Sequence, residues 1–310
     1  MKKAHVIILL ACISLLCCAC NKFSIGDITD DTRHLDTTFQ IVEIRDDIDV
    51  SLRHSNADTM AGTIRIKTGA NLIDAINAQT VEHLEIESND TLKYTKLVIT
   101  NDNSVNYLRP YTHTPKMTVY YDTLYKIIFH SNAQIHTDTL RGYDFITHFA
   151  SDSLEWDSLA PNLIIEVEGG SGNFNVLTKC YKLISKYIHG TSTLTIKGQA
   201  SLASTYADYD CHGVINSREL NTNVYYITTY STNIIKALAY HMLEVKNGNI
   251  GEVHYLKYIT TKEEHIWNDS LHQTDTVINN VISPEVIRYN GEYINIWTYN
   301  NEIPGLVKEQ

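Results

Sequence analysis

Leu163-Ile164-Ile165-Glu166-Val167-Glu168-Gly169-Gly170-Ser171-Gly172-Asn173-Phe174-Asn175-Val176 is the stretch that decides the fold class. Its two ends alternate apolar and polar residues with period two, as extended strands do when one face is buried and the other is wet. Between them, Gly169 to Gly172 are all small, and glycine can bend the chain through positive φ without a steric penalty. The stretch reads as strand, corner, strand.

The same unit recurs with a period near twenty. Steps of twenty from Ser131 meet Ser151, Ser171, Thr191, Cys211 and Ser231, all small residues able to form hydrogen bonds. Three positions on, the series Gln134, Leu154, Phe174, Leu194, Val214 and Ile234 is apolar in five of six places and is expected to point inward. Three positions upstream, Ile128, His148, Glu168, Ile188, Asp208 and Thr228 are mixed and are expected to face water. A coil of this length cannot bury its apolar side alone. Stacking coils at the strand spacing of roughly 4.8 Å lines up like residues into a continuous core. The expected fold is therefore all-β, with a parallel β-solenoid (β-helix) of about 20-residue coils over 124–258. An antiparallel sandwich also alternates, but it gives no reason for a fixed register of twenty.

Working outward, short alternating runs at Ile48/Val50/Leu52, Ile64/Ile66, Leu84/Ile86, Leu97/Ile99 and Met117/Val119 predict an N-terminal β portion over 39–123. Asn71 to Ile76 is at most a turn or two of helix, and the helix formers of Ile234 to Ala239 lie inside the repeat. Residues 259–282 are a polar, charged insertion expected to form a loop or hairpin, and 283–310 close the body. Twenty tyrosines against 6 Phe and 3 Trp suit half-exposed pleated surfaces. With only 5 prolines and no Pro- or Ser-rich divider, 39–310 reads as one continuous body.

The first residues carry an address. Lys2 and Lys3 precede the apolar run Val6 to Leu16, which has signal-peptide length and is short for a membrane span. The run ends in Leu15-Leu16-Cys17-Cys18-Ala19-Cys20, which resembles the lipobox of bacterial lipoproteins. That resemblance implies a signal peptide over 1–19 and lipidation of Cys20, with Cys18 as the second candidate. The polar stretch 20–38 then reads as a tether. The expected product is an exported lipoprotein held in the membrane by its N-terminal lipid, most simply the outer membrane, with the periplasmic and surface faces both open. Only Cys180 and Cys211 remain in the body, so the fold is not expected to rest on disulfides, and the repeat phase argues against their pairing.

Chemistry is sparse. The formal charge is −11; without Lys2 and Lys3 there are 36 acidic against 23 basic residues, or −13, a balance that repels phosphate backbones. Nucleic acid is not an expected partner. No phosphate-binding glycine loop, nucleophile elbow or metalloprotease motif occurs. Fourteen histidines invite a metal reading, but His130, His136 and His148 do not share one column of a twenty-residue coil, so neither metal nor cofactor is expected. Four acids form the alternative of a carbohydrate-active enzyme: Glu166, Glu168, Asp208 and Asp210. In a strict repeat Glu168 and Asp208 share a column with Ile188 between them. The aromatic set is the stronger candidate for a ligand face: Tyr206 and Tyr226 step by twenty from Lys186, and Tyr209 and Tyr230 lie near the same corner. Exposed tyrosines can stack on sugars or anchor a protein partner.

Several segments together resemble the head GIN domain family of autotransporter adhesins. They include Phe39-Gln40-Ile41, Ile48-Asp49-Val50-Ser51-Leu52, Asn71-Leu72-Ile73-Asp74, Leu97-Val98-Ile99-Thr100-Asn101-Asp102-Asn103 and Asn106-Tyr107-Leu108-Arg109. Further on come Gly169-Gly170-Ser171-Gly172, Leu194-Thr195-Ile196-Lys197-Gly198-Gln199-Ala200 and Asn247-Gly248-Asn249-Ile250-Gly251-Glu252-Val253-His254-Tyr255. The resemblance implies a β-solenoid with a sandwich-like N-terminal portion, placed in the cell envelope. The Gly-Ser-Gly corner is clear only at Gly170-Ser171-Gly172. The functional expectation is a non-catalytic envelope protein that binds a glycan or protein ligand on a repetitive face. A self-assembling scaffold is the remaining alternative.

Overall fold

A computed structural model describes residues 25–55, 60–87, 90–102, 114–141, 163–268, 273–295, 299 and 302–309. The signal segment, Cys18, Cys20, His148, Ser151 and Leu154 lie outside the described residues. The described chain is all-β, with a single 3-10 turn at Ile73–Ala75 where the short Asn71-to-Ile76 segment was expected to turn. One mixed sheet holds 19 strands, and a separate two-stranded sheet is formed by Tyr258–Asn268 and Gln273–Ser283 in antiparallel pairing. That hairpin occupies the polar insertion.

Two parallel ladders run through the main sheet, and the chain alternates between them. The first ladder stacks Ile41–Arg45, Lys126–His130, Leu163–Val167, the later halves of Asn173–Gly190, Thr193–Cys211 and Val214–Thr229, then Met242–Asn247 and Val286–Tyr289. The second stacks Asp49–His54, Gln134–Arg141, the earlier halves of the same three long strands, then Ile234–Ala237, Glu252–Leu256 and Leu306–Glu309. Antiparallel strands enter mainly at the N-terminal end, where Thr63–Gly69 pairs with Lys116–Tyr121 and Ile76–Glu87 with Asp90–Asn101. The N-terminal strands thus continue the same sheet.

Register explains the recurrence and corrects its detail. Leu163 faces Leu183 and then Ala203, two steps of 20, before steps of 22 to Tyr225 and 18 to Leu243. In the second ladder the inward column is Val50, Ile135, Phe174, Leu194, Ile215, Ile235, Val253 and Leu306. Every one of these is buried. Phe174 and Leu194 stand where the series of twenty put them. Gln134, Val214 and Ile234 stand one place outside the buried column. Bulges between Asn175 and Leu177 and between Thr195 and Lys197 each shift the pairing by a residue, as an extra residue in one strand must. The small-residue series shifts likewise: Ser131, Cys211 and Ser231 are buried, whereas Ser171 and Thr191 are exposed and Ser192 takes the inward place. Gln134–Arg141 pairs directly with Asn173–Gly190, a step of 39 at Gln134.

Corners must be thin, because successive strands lie one strand spacing apart. Gly170, with φ +92°, shows the constraint: a Cβ there would stand 2.0 Å from the Ser131 carbonyl oxygen. Inside, aromatic and aliphatic side chains from both ladders form one cluster, with Phe129 and Phe174 stacked at 4.5 Å between ring centroids. Truncating a fully buried phenylalanine removes its transfer free energy and leaves a cavity. Phe174→Ala is therefore expected to destabilise the fold by about 3–5 kcal/mol in urea denaturation. Leu177→Ala, on the exposed side of the same strand, should stay within roughly 0.5 kcal/mol.

Candidate functional site

The outward side of the first ladder begins as a row of fixed charges. Glu43, Ile128, Glu166, Lys186, Tyr206 and Thr228 are successive register partners on that side. The Lys126 ammonium lies 3.0 Å from Glu85 and 2.8 Å from Glu166, and Lys186 lies 2.8 Å from Glu166. Lys96 sits 2.6 Å from Glu43, and His130 sits 3.0 Å from Glu168. Burial alone would raise the Glu166 carboxyl, but hydrogen bonds and charge from Lys126 and Lys186 outweigh it and hold the group below the ordinary carboxylate range. Glu43 is lowered in the same way by Lys96 and Arg45 against the pull of burial. Above this row, the hairpin of Ile76–Glu87 and Asp90–Asn101 stacks Tyr94 on Tyr125 at 4.6 Å, and Ile41, Ile128 and Ile164 pack into the same satellite cluster. Ile128 is therefore covered, whereas its column was expected to face water.

The four acids do not act as a set. Glu166 is enclosed by its two lysines, and Glu168 engages His130 on the preceding strand. Asp208 accepts a hydrogen bond from the Tyr209 backbone N–H at 2.8 Å, and Asp210 is exposed. A bulge between Tyr187 and His189 breaks the strict column that would have joined Glu168, Ile188 and Asp208. Among the described residues, no three His, Cys, Asp or Glu side chains gather as metal ligands. His136 is exposed. Cys180 and Cys211 are both free thiols, buried, and pushed up to about 12 mainly by desolvation.

Three of the four tyrosines come together. Thr193–Cys211 passes a register irregularity after Ala207 before the chain turns at His212 and Gly213, and the next strand, Val214–Thr229, is followed by a turn at Tyr230 to Asn233. There Tyr209 stacks on Tyr230 at 5.3 Å between ring centroids, and Tyr206 meets Tyr230 edge-on at 6.1 Å. Gly248 makes room for the Tyr230 ring, since a Cβ at that position would stand 2.6 Å from it. Tyr209 keeps 62% of its surface open. Desolvation, then the charge of Asp208, pushes the Tyr206 phenol up. Tyr226 is also exposed but pairs with Ser204, while Tyr206 pairs with Thr228. The two therefore stand diagonally and not in one column, because the step between these strands is 22 residues.

The opposite corners hold a feature that sequence reasoning missed. A groove of about 580 Å³ is lined by Lys179, Cys180, Gln199, Ala200, Ser201, Asn221, Asn223 and Tyr240. Its signal was a polar column, but Lys179, Gln199 and Asn221 are spaced 20 and then 22 apart and carry no small-residue corner to mark them.

Residues 38–257 match the family model described as "putative auto-transporter adhesin, head GIN domain". A crystal structure of a putative adhesin from Bacteroides fragilis has a similar fold, with a TM-score of 0.54 and 16% identity over 74% of this chain and 88% of that one. A putative adhesin from Parabacteroides merdae gives a TM-score of 0.43 and 18% identity over 74% of this chain and 89% of that one. A putative lipid binding protein from Parabacteroides distasonis gives 0.47 and 12% over 92% of this chain and 98% of that one. No curated protein matches the sequence. Among the described residues no helix is long and apolar enough to cross a membrane.

The charge row makes Glu166 a structural anion. Because its pKa is depressed in the folded state, its contribution is present above the unfolded value and is lost as pH falls through the folded one. Glu166→Gln is expected to lower stability at pH 7 by on the order of 1–3 kcal/mol, as loss of a buried partner does. The gap to the parent should close as acidification takes the pH through the depressed folded-state pKa and the parent carboxyl is itself protonated. Urea midpoints of the two proteins against pH would check this.

Proposed function

The chain belongs to the head GIN domain family of auto-transporter adhesins, and from that premise we propose that it is an exported lipoprotein and a non-catalytic binding protein. Cys20 carries the lipid that anchors it in the outer membrane, and residues 21–38 tether the body. The two ladders are the faces of a parallel β-solenoid with coils near twenty residues. Its regular corners hold ligand-contacting side chains at fixed spacing.

The observation that carries this reading is the Tyr206–Tyr209–Tyr230 corner. Three aromatic rings gather on a rigid edge, and the outermost remains largely open. Large rings with few rotatable bonds give contact area at low entropic cost and suit sugar rings or protein surfaces. The lipid reading rests on the cysteine that ends the apolar leader, since several acyl chains anchor a protein where one alone would do so only marginally.

Two outcomes are expected. Radiolabelled palmitate fed to expressing cells should label the parent protein and not Cys20→Ala, and the variant should leave the membrane fraction; unchanged labelling would sink the anchor. On arrays of envelope and host glycans and proteins, Tyr209→Ala should bind its ligand at least tenfold more weakly than the parent, about 1.4 kcal/mol. Mass analysis should recover the bound ligand intact, and a shortened glycan would overturn the non-catalytic reading.

A further inference from the structure

The groove at the corners opposite the tyrosines is a second site, and we propose that it binds a neutral linear glycan laid across the strands. Its floor and walls come from successive rungs. Lys179, Gln199 and Asn221 are direct register partners on three neighbouring parallel strands, and Cys180, Ala200 and Thr222 are the next set of partners. The wall residues are exposed, while Cys180 and Ala200 beneath them are buried and small, leaving a depression. A volume of about 580 Å³ is within the usual range of ligand sites.

The fourth rung supplies a sidewall with a ring. Tyr240 donates its phenol hydrogen to Asn221 Oδ1 at 2.9 Å. Its backbone N–H donates to the Thr222 carbonyl at 2.8 Å, and its carbonyl accepts from the Glu285 N–H at 3.3 Å. The ring is thus held upright at the end of the groove and keeps 37% of its surface open. Asn221 is oriented by the same bond, with its amide nitrogen left to donate.

The lining chemistry selects the ligand. Gln199, Ser201 and Asn223 make no side-chain hydrogen bond to any described residue, so two amides and a hydroxyl stand ready both to donate and to accept. Hydroxyl groups of a sugar also donate and accept, and match such a lining. An anionic ligand would call for several cations, and the lining holds one, Lys179, in a chain of net charge −11. A peptide that adds a strand needs a free sheet edge. The middle strand beneath this groove, Thr193–Cys211, is paired on both sides. Equivalent side chains recur at the strand spacing of roughly 4.8 Å, so a repeating polymer crossing the strands presents one unit after another to like groups. This site is separate from the tyrosine corner and does not depend on it.

The test is calorimetric titration of the full chain, in detergent, with hexasaccharides of β-1,4-linked glucose, mannose and xylose. At least one should bind, and the exposed-residue double variant Gln199→Ala/Asn223→Ala should bind it at least tenfold more weakly while melting like the parent. Tyr209→Ala should bind that hexasaccharide as the parent does. Full affinity in the double variant, or loss of binding in Tyr209→Ala alone, would overturn the groove and leave the tyrosine corner as the binding site. No heat with any of the three at millimolar concentration would also overturn it, while the array and palmitate experiments would still decide the function proposed above.

Discussion

Parallel strands one spacing apart must place like over like, and this in-register stacking governs the rest of the molecule. The column from Val50 through Ile135, Phe174, Leu194, Ile215, Ile235 and Val253 to Leu306 is continuous because each strand's backbone groups bond the strand on either side. A side chain that enters this column contacts its equivalents above and below, so the hydrophobic gain is shared along the stack. The same height limit acts at the corners. At Gly198, φ is +106° and a Cβ would stand 2.0 Å from the Thr178 carbonyl oxygen, so only glycine passes. Buried corner hydroxyls answer the backbone groups that the bends expose: Ser131 Oγ donates to the Asp46 carbonyl and Ser231 Oγ to the Cys211 carbonyl.

Stacking also makes a polar core tolerable. Ser185 and Thr205 face inward as register partners and share a hydrogen bond at 2.7 Å. Thr205 meets the Tyr225 phenol at 2.8 Å, and that phenol donates to Ser217 at 2.9 Å. Hydroxyls on successive rungs thus satisfy one another where an isolated one would be costly to bury. The ladder tolerates Tyr225 in place of an aliphatic residue because its oxygen finds partners in the same stack. The free thiols Cys180 and Cys211 fill small inward places in the same way, and burial keeps them protonated.

What could be read in the sequence follows from which features are local. Strand, corner and strand at Leu163 to Val176 need only neighbouring residues, and Phe174 and Leu194 were placed correctly by spacing alone. Val214 and Ile234 were not, because a bulge in one strand is decided by its partner: the irregularity between Tyr187 and His189 turns a step of 20 into 21, so Leu194 faces Ile215 and not Val214. Tyr226 left the column of Tyr206 for a related reason: two more residues separate those strands. Pairing of Glu166 with Lys126 and Lys186 spans 40 and 20 residues, which period-two alternation cannot register. At the tyrosine corner, Tyr209 and Tyr230 were legible by proximity to small residues. The groove was not, because its members carry no turn signal and become neighbours only through the register.

A sheet built largely of two parallel ladders leaves few places for open polar and aromatic groups. Inward faces are committed to packing. The outward face of the first ladder is occupied, from Glu43 to Lys186, by ion pairs whose carboxylates are already spent on lysines. A side chain standing mid-strand is flanked by neighbours on both adjacent strands and is readily drawn into such pairs. Open aromatic and amide groups accordingly collect at the two edges, Tyr209 on one and Gln199 with Asn223 on the other. Such residues can change without disturbing the stacked columns, since neither edge shares a side chain with the buried series of Phe174. The architecture thus separates the residues that hold the strands together from the open groups at its edges, and it fixes the spacing of the second set by the packing of the first.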